Sequence, residues 1–334
     1  MPTKIAEVYR GKLVESIHRG DIVVVTTDER ITYYSGSRDK VTYWRSAAKP
    51  IQALPVIFSG AAEKYGLTPE EIAIMAASHS GENLHVETVK GILNKIGLDE
   101  SALKCGVHPP VHKETARNIW MKGGKVSPLH NNCSGKHAGL LTLCQFYGWS
   151  IDDYLNQDHP LQRLLLEVIS DITGVPESDI ELGVDGCGVV VFGLPLKNMA
   201  YAYARLANPE YLPSKYRKAA RHIVESMTSY PEMVGGSERF NTDLLTVAGD
   251  KLVAKSGAEG VFCIGVFGGP GVAVKIEDGN SRGIPPVVIN LLKQLNLLTP
   301  EEIAKMRKYH KPAVKNNRKE KVGFIKPVFT LNKA

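Results

Sequence analysis

The chain has 334 residues, 43% hydrophobic and 23% charged, which is enough apolar material for one large domain or two ordinary ones and excludes a disordered or low-complexity chain. The net charge of +6 does not argue for nucleic acid, because residues 305–334 hold ten Lys or Arg against one acidic residue, leaving −3 on the remainder. A solvated basic tail is the plain reading, and no RNA-binding or zinc-finger motif accompanies it.

The first residues, Met1 to Arg10, lack the apolar run of a secretory signal. The most apolar stretch, Val261 to Val274, is too short and glycine-rich to span a bilayer. Cys105, Cys133, Cys144, Cys187 and Cys263 are odd in number and scattered, which suits a reducing compartment rather than a disulfide framework. These features give a soluble, cytoplasmic protein with no membrane or nucleic-acid partner.

Taken in order, Leu13–Ile17, Ile22–Thr26 and Ile31–Tyr34 are β-rich runs that read as a meander, with turns at Arg19-Gly20-Asp21 and Asp28-Glu29. Arg45-Ser46-Ala47-Ala48-Lys49-Pro50 then opens a buried helix that runs on to Phe58, with Ser46 at its start and a kink at Pro55. Thr68-Pro69-Glu70-Glu71 carries a cap, an N1 proline and acidic first-turn residues, and Thr299-Pro300-Glu301-Glu302 repeats the signal. Helical patterns follow at about His85–Ile96, Ala138–Phe146, Leu161–Thr173, Leu196–Leu206 and Lys215–Thr228. Strand character returns at Lys251–Lys255, Val261–Phe267 and Val272–Glu277, followed by a helix from Pro285 to Leu295 and a last strand around Val322–Phe329. Strands at both ends with helices between predict an α/β (α+β) domain covering 1–334. Its antiparallel sheet comes from about 5–45 and 250–330, with a helical insertion at about 46–245.

Three serine-lysine elements lie along this frame: Ser46-x-x-Lys49, Ser78-His79-Ser80 and Lys255-Ser256-Gly257. Residues three apart share a helix face, so a lysine amine at position 49 reaches a serine hydroxyl at 46. Serine becomes a nucleophile when a neighbouring base takes its proton, and a lysine serves when burial or a second cation favours its neutral form. Singly, each element reads equally as a helix cap or a surface lysine; three in this order resemble the signatures of penicillin-recognising serine hydrolases, although the middle element ends in His79-Ser80 rather than Asn. Cys133, Lys136, His137, Asp185 and Cys187 form a second group. Two thiolates from distant segments suit zinc, and from spacing alone they are equally buried structural cysteines.

Together with Ala77-Ser78-His79-Ser80-Gly81-Glu82, His130-Asn131-Asn132-Cys133-Ser134-Gly135-Lys136-His137, Asp185-Gly186-Cys187-Gly188 and Lys255-Ser256-Gly257-Ala258-Glu259-Gly260, the Arg45–Pro50 motif strongly resembles the Rhizobium-type L-asparaginase II family over nearly the whole chain. The resemblance implies a serine β-lactamase-like fold, a homodimer, and hydrolysis of L-asparagine to aspartate and ammonia. It implies two dyads, Ser46–Lys49 and Ser78–Lys255, with Ser46 forming the acyl-enzyme and Lys49 acting as base. It also implies zinc on Cys133, Lys136 and Cys187, organising the pocket rather than activating water, with His137 and Asp185 positioning ligands or substrate. Arg45 and Glu82 adjoin the motifs and are expected to shape the pocket. Tyr147, Trp149 and Tyr154 are expected in the core, and His108, His112, His159 and His222 as surface or packing residues. The rivals are a serine-dependent glutaminase, a β-lactam-interacting hydrolase, a non-catalytic zinc-binding scaffold and, more distantly, an RNA-associated role for the basic tail.

Overall fold

Strands from both ends of the chain build a nine-stranded antiparallel sheet. They are β1 (Thr3–Arg10), β2 (Leu13–Val25), β3 (Ile31–Ser35), β4 (Leu252–Gly257), β5 (Val261–Val266), β6 (Gly271–Ile276), β7 (Ala313–Lys315), β8 (Lys321–Pro327) and β9 (Asn332–Lys333). The order is β7-β8-β1-β2-β6-β5-β4, with β3 also on β2 and β9 on β3. The computed structural model describes residues 1–334 and divides into two compact units. The sheet belongs to the first unit, Met1–Ala47, Leu194–Asn208 and Asp243–Ala334; the second is Ala48–Gly193 and Pro209–Thr242. The division falls inside the first motif, between Ser46 and Lys49.

In the first unit, β5 and β6 are buried along their whole length, which explains their near-continuous apolar sequence. The Leu196–Ala207 helix packs on β2, β5 and β6, and the Ile284–Gln294 helix packs on β1, β6 and β8. The first of these helices lies so close to the sheet that a methyl group on Gly271 would run into the carbonyl of Ala200 and the backbone nitrogen of Ala204. Gly271→Ala is therefore expected to destabilise the protein by about 3 kcal/mol, since both obstacles are backbone atoms that move only with the whole helix. A lowered urea midpoint at unchanged m-value is the check.

The second unit is helical and centres on Ser134–Tyr147, which is buried continuously from Ser134 to Cys144. Pro69–Met75 and Asn83–Lys95 pack against it. Both expected capping boxes form, Thr68 with Glu71 and Thr299 with Glu302. No helix is long and apolar enough to cross a membrane.

The elements differ from the sequence reading at five places. Arg19-Gly20-Asp21 is not a turn: Gly20 pairs with both Thr3 and Ile276, and the buried Asp21 carboxylate accepts the Ser37 N–H at 2.6 Å, so β2 runs on unbroken. Burial pushes the Asp21 carboxyl above the usual range, opposed by that N–H. Residues 3–10 form an unforeseen strand that β2 and β8 flank. The basic C-terminal segment is no solvated tail, because β7 and β9 enter the sheet beside the expected last strand, β8, and the Lys311 ammonium sits 3.9 Å over the Phe324 ring. The expected helical stretch contains a hairpin, Glu181–Val184 with Val190–Pro195. Finally, the helix opened at Ser46 is three pieces, a 3-10 turn Arg45–Ala48 and the short helices Lys49–Gln52 and Leu54–Phe58. Pro50 and Pro55 supply no N–H for a continuous ladder, and Ser46 caps neither helix.

Candidate active site

Within the first unit, Ser46 lies half-buried on a turn held from several sides. Arg45 before it has φ +53°, a left-handed conformation that costs a non-glycine residue energy and is kept only where surrounding structure enforces it. Trp44, fully buried, donates its indole N–H to Cys263 Sγ at 3.3 Å and meets Tyr203 edge-on at 6.2 Å. The Tyr203 hydroxyl donates to the Ala47 carbonyl at 2.7 Å. Gly257, at the end of edge strand β4, passes so near that a methyl there would lie 2.9 Å from the Trp44 carbonyl oxygen and 3.3 Å from the Ala47 nitrogen. The Lys255-Ser256-Gly257 segment thus runs against the turn that carries Ser46. The Lys255 side chain is 1% exposed and donates to the Ser256 carbonyl at 2.7 Å.

In the second unit, Lys49 is equally buried, at 1% exposure. Its Nζ donates to the Ala77 carbonyl at 2.6 Å, to Ser78 Oγ at 3.1 Å and to the Asn132 carbonyl at 3.3 Å. Three acceptors surround the amine, so this polar group keeps partners after its removal from water. The structure therefore pairs Lys49 with Ser78, a bond the motif spacing did not foretell.

The loop from Ser78 to Glu82 is fixed at each residue. The Ser78 N–H donates to the Val234 carbonyl at 3.0 Å and Ser80 Oγ to the Gly235 carbonyl at 2.7 Å. His79 accepts the Gly81 N–H at Nδ1 and meets Ser134 Oγ at 2.9 Å through Nε2. Glu82 caps the Asn83–Lys95 helix and accepts the Ser237 N–H at 2.8 Å; burial works against its charge, but the Ser237 contacts outweigh it and hold the carboxyl below the usual range. Its observed work is thus capping and loop anchoring.

The cysteine group assembles in the same unit, with Cys133 Sγ, Cys187 Sγ and an Asp185 oxygen all within 4.8 Å of one another. Lys136 Nζ donates to Cys187 Sγ at 3.0 Å. The two thiols share a proton: the hydrogen bond from Cys187 holds Cys133 well below the usual thiol range, and the same bond raises Cys187. Burial opposes a charged Lys136, but the two sulfurs more than offset it and raise its pKa. His137 Nδ1 lies 2.6 Å from the Tyr154 hydroxyl, which also accepts the Lys104 N–H, so the phenol proton goes to His137 and the imidazole proton sits on Nε2. That Nε2 is buried without a well-aligned partner, beside the Cys187 sulfur. Two sulfurs and a carboxylate, with a buried imidazole N–H at one sulfur, fit a thiophilic divalent ion such as zinc, for which an N–H to a ligating thiolate is a usual supporting contact.

Tyr154 is in the core as expected. Tyr147 is 42% exposed and stacks on half-buried Trp149 at 4.4 Å, because it lies at the solvent end of its helix. His159 does more than pack, accepting the Leu161 N–H at 3.1 Å as a helix cap. Sequence reasoning assigned no role to His79 and missed Tyr203 and the carbonyls of Ala77 and Asn132. His79 lay inside a quoted motif, but backbone acceptors leave no side-chain signature.

These features lie in a chain whose family match places it among the amidohydrolases. The chain belongs to the L-asparaginase II family, whose model matches residues 6–327. No curated protein sequence matches it. Among solved structures, Mglu in its glutamate form aligns with a TM-score of 0.45 and 16% identity over 84% of this chain and 61% of that chain. A probable glutaminase, ybaS, gives 0.47 and 17% over 83% and 85%, and a Bacillus glutaminase 0.39 and 13% over 83% and 91%.

Proposed function

We propose that the protein hydrolyses the side-chain amide of L-asparagine to L-aspartate and ammonia. The observation that carries this reading is the buried Lys49 amine, three residues along the chain from Ser46 and 3.1 Å from Ser78 Oγ, in a chain of the L-asparaginase II family. Ser46 Oγ would attack the amide carbon while Lys49, as the neutral amine, takes its proton, forming a C–O bond and a tetrahedral oxyanion. Collapse breaks the C–N bond, with the proton returned through Lys49 or Ser78 to the departing ammonia. Water, deprotonated by the same lysine, then cleaves the aspartyl ester and frees Ser46. Lys255, on the strand that runs against the Ser46 turn, would supply positive charge to the acyl oxygen.

The second group would hold zinc through Cys133 and Cys187, with Lys136 and Asp185 completing the donors. When bound, zinc would supply fixed positive charge that orders the pocket. Because Lys136 and Cys187 hold protons that a metal must displace, apparent zinc affinity should fall about ten- to a hundredfold per unit as pH drops from 8 to 6, one or two protons being taken up per zinc released. Chelator competition at three pH values measures this, and a flat profile would show that neither Lys136 nor Cys187 gives up a proton to the metal.

Ammonia release from L-asparagine, beside Ser46→Ala, tests the main reading. Turnover lost in the variant supports it; turnover of glutamine or a chromogenic cephalosporin instead of asparagine would redirect the substrate. The cephalosporin also probes the finer fold reading, a kinship with penicillin-recognising enzymes suggested by the motif order. A homodimer remains the proposed assembly, checked by sedimentation.

A further inference from the structure

Six residues of the second unit close a ring. It runs from Ser78 to His79 along the backbone, then from His79 Nε2 across 2.9 Å to Ser134 Oγ. From Ser134 it returns through Cys133 to Asn132, whose carbonyl accepts from Lys49 Nζ at 3.3 Å. Lys49 closes it at 3.1 Å on Ser78 Oγ. Cys133 is therefore a covalent member of the same ring as the Lys49–Ser78 pair.

The His79 link is directional. Its Nδ1 accepts the Gly81 N–H at 3.2 Å, and Ser134 spends its own proton on the Leu129 carbonyl at 2.9 Å. The His79 proton is therefore on Nε2 and points to Ser134. The ring lies 4.9 Å from His85 in a stacked arrangement, fully buried.

We propose that His79 is a positioning residue that ties the Ser78 loop to the Cys133 turn, so that metal affinity at Cys133 and reactivity at Lys49–Ser78 are coupled through it. This rests on the reading of those groups as metal site and catalytic pair.

The test compares His79→Leu, His79→Gln, Ser134→Ala and the His79→Leu/Ser134→Ala double variant with wild type, reading zinc affinity by chelator competition and kcat and KM on L-asparagine. His79→Leu and Ser134→Ala should each weaken zinc by about tenfold or more and lower kcat by a similar factor, with KM within about twofold. His79→Gln, which keeps an N–H donor, should recover part of both, and the double variant should match the worse single, since one bond is lost either way. Folded single variants with zinc affinity and kcat within about twofold of wild type would overturn the proposal, as would additive losses. Should His79→Leu not fold, Ser134→Ala, which removes one oxygen, decides by the same thresholds. If the wild type releases no ammonia, the hydrolase reading and with it the coupling to reactivity fail, and zinc affinity alone decides whether His79 positions the Cys133 turn.

Discussion

Ser46→Ala is expected to lower kcat for asparagine by on the order of 10⁴-fold or more, and Lys49→Met by a comparable factor, with the double variant no worse than either single. Groups that act in one proton-transfer event lose their effect together, because removing either leaves the other with nothing to do. The two differ in stability. Ser46 is half-buried on a turn held by Tyr203, Trp44 and the Gly257 strand, so its truncation should leave the denaturant midpoint nearly unchanged. Lys49→Met removes the buried amine and leaves the Ala77 and Asn132 carbonyls without their donor, at roughly 1–3 kcal/mol each. Ser78→Ala should cost less than either, about 10²-fold in kcat, if Ser78 only relays the proton. Additive losses at Ser46 and Lys49 would mean they serve different steps and would sink the dyad.

Much of the frame was legible because the pattern is local. The helices Asn83–Lys95, Pro160–Thr173 and Ser214–Ser229 show apolar residues on one face, and the glycine-rich turn between β5 and β6 is read directly from Gly268-Gly269-Pro270-Gly271. What failed was set by partners distant in sequence. β1 alternates weakly, with Lys4, Glu7 and Arg10 among its apolar residues, and becomes a strand because β2 and β8 lie on either side. Asp21 looks like a turn residue until the Ser37 N–H is known to be its partner.

The site divides the same way. Residue types in the motifs marked Ser46, Lys49, Ser78, Lys255 and the cysteine group, since their chemistry is in the side chains. The bonding is not in the motif: two of Lys49's three acceptors are backbone carbonyls, from residues 28 and 83 positions away. Tyr203 reaches the Ser46 turn from a helix 156 residues on. No spacing rule encodes such partners.

The buried histidines carry the second large expectation, an acid transition steeper than the carboxylates alone would give. Burial drives His79 well below its ordinary value of 6.5, His85 below it, and His137 down to about 4. All three are neutral in the fold and near 6.5 in the unfolded chain, so below pH 6.5 the unfolded state binds protons that the native state refuses. Stability therefore falls as pH falls, by about 1.4 kcal/mol per pH unit per histidine once the unfolded group is fully protonated, and by up to about 4 kcal/mol per unit for the three together. The loss continues until each folded pKa is reached, at about pH 4 for His137. Stability at pH 7 and above is untouched by these groups. Urea unfolding of chelator-treated protein between pH 7 and 5 reads the slope directly, above the range where carboxylates contribute. A slope of about two protons or more at pH 5 is expected, falling by about one in His79→Gln. A slope below one proton would show that these imidazoles accept protons in the folded state, and with it the assignment of Nδ1 as acceptor and Nε2 as donor at His79 would fail.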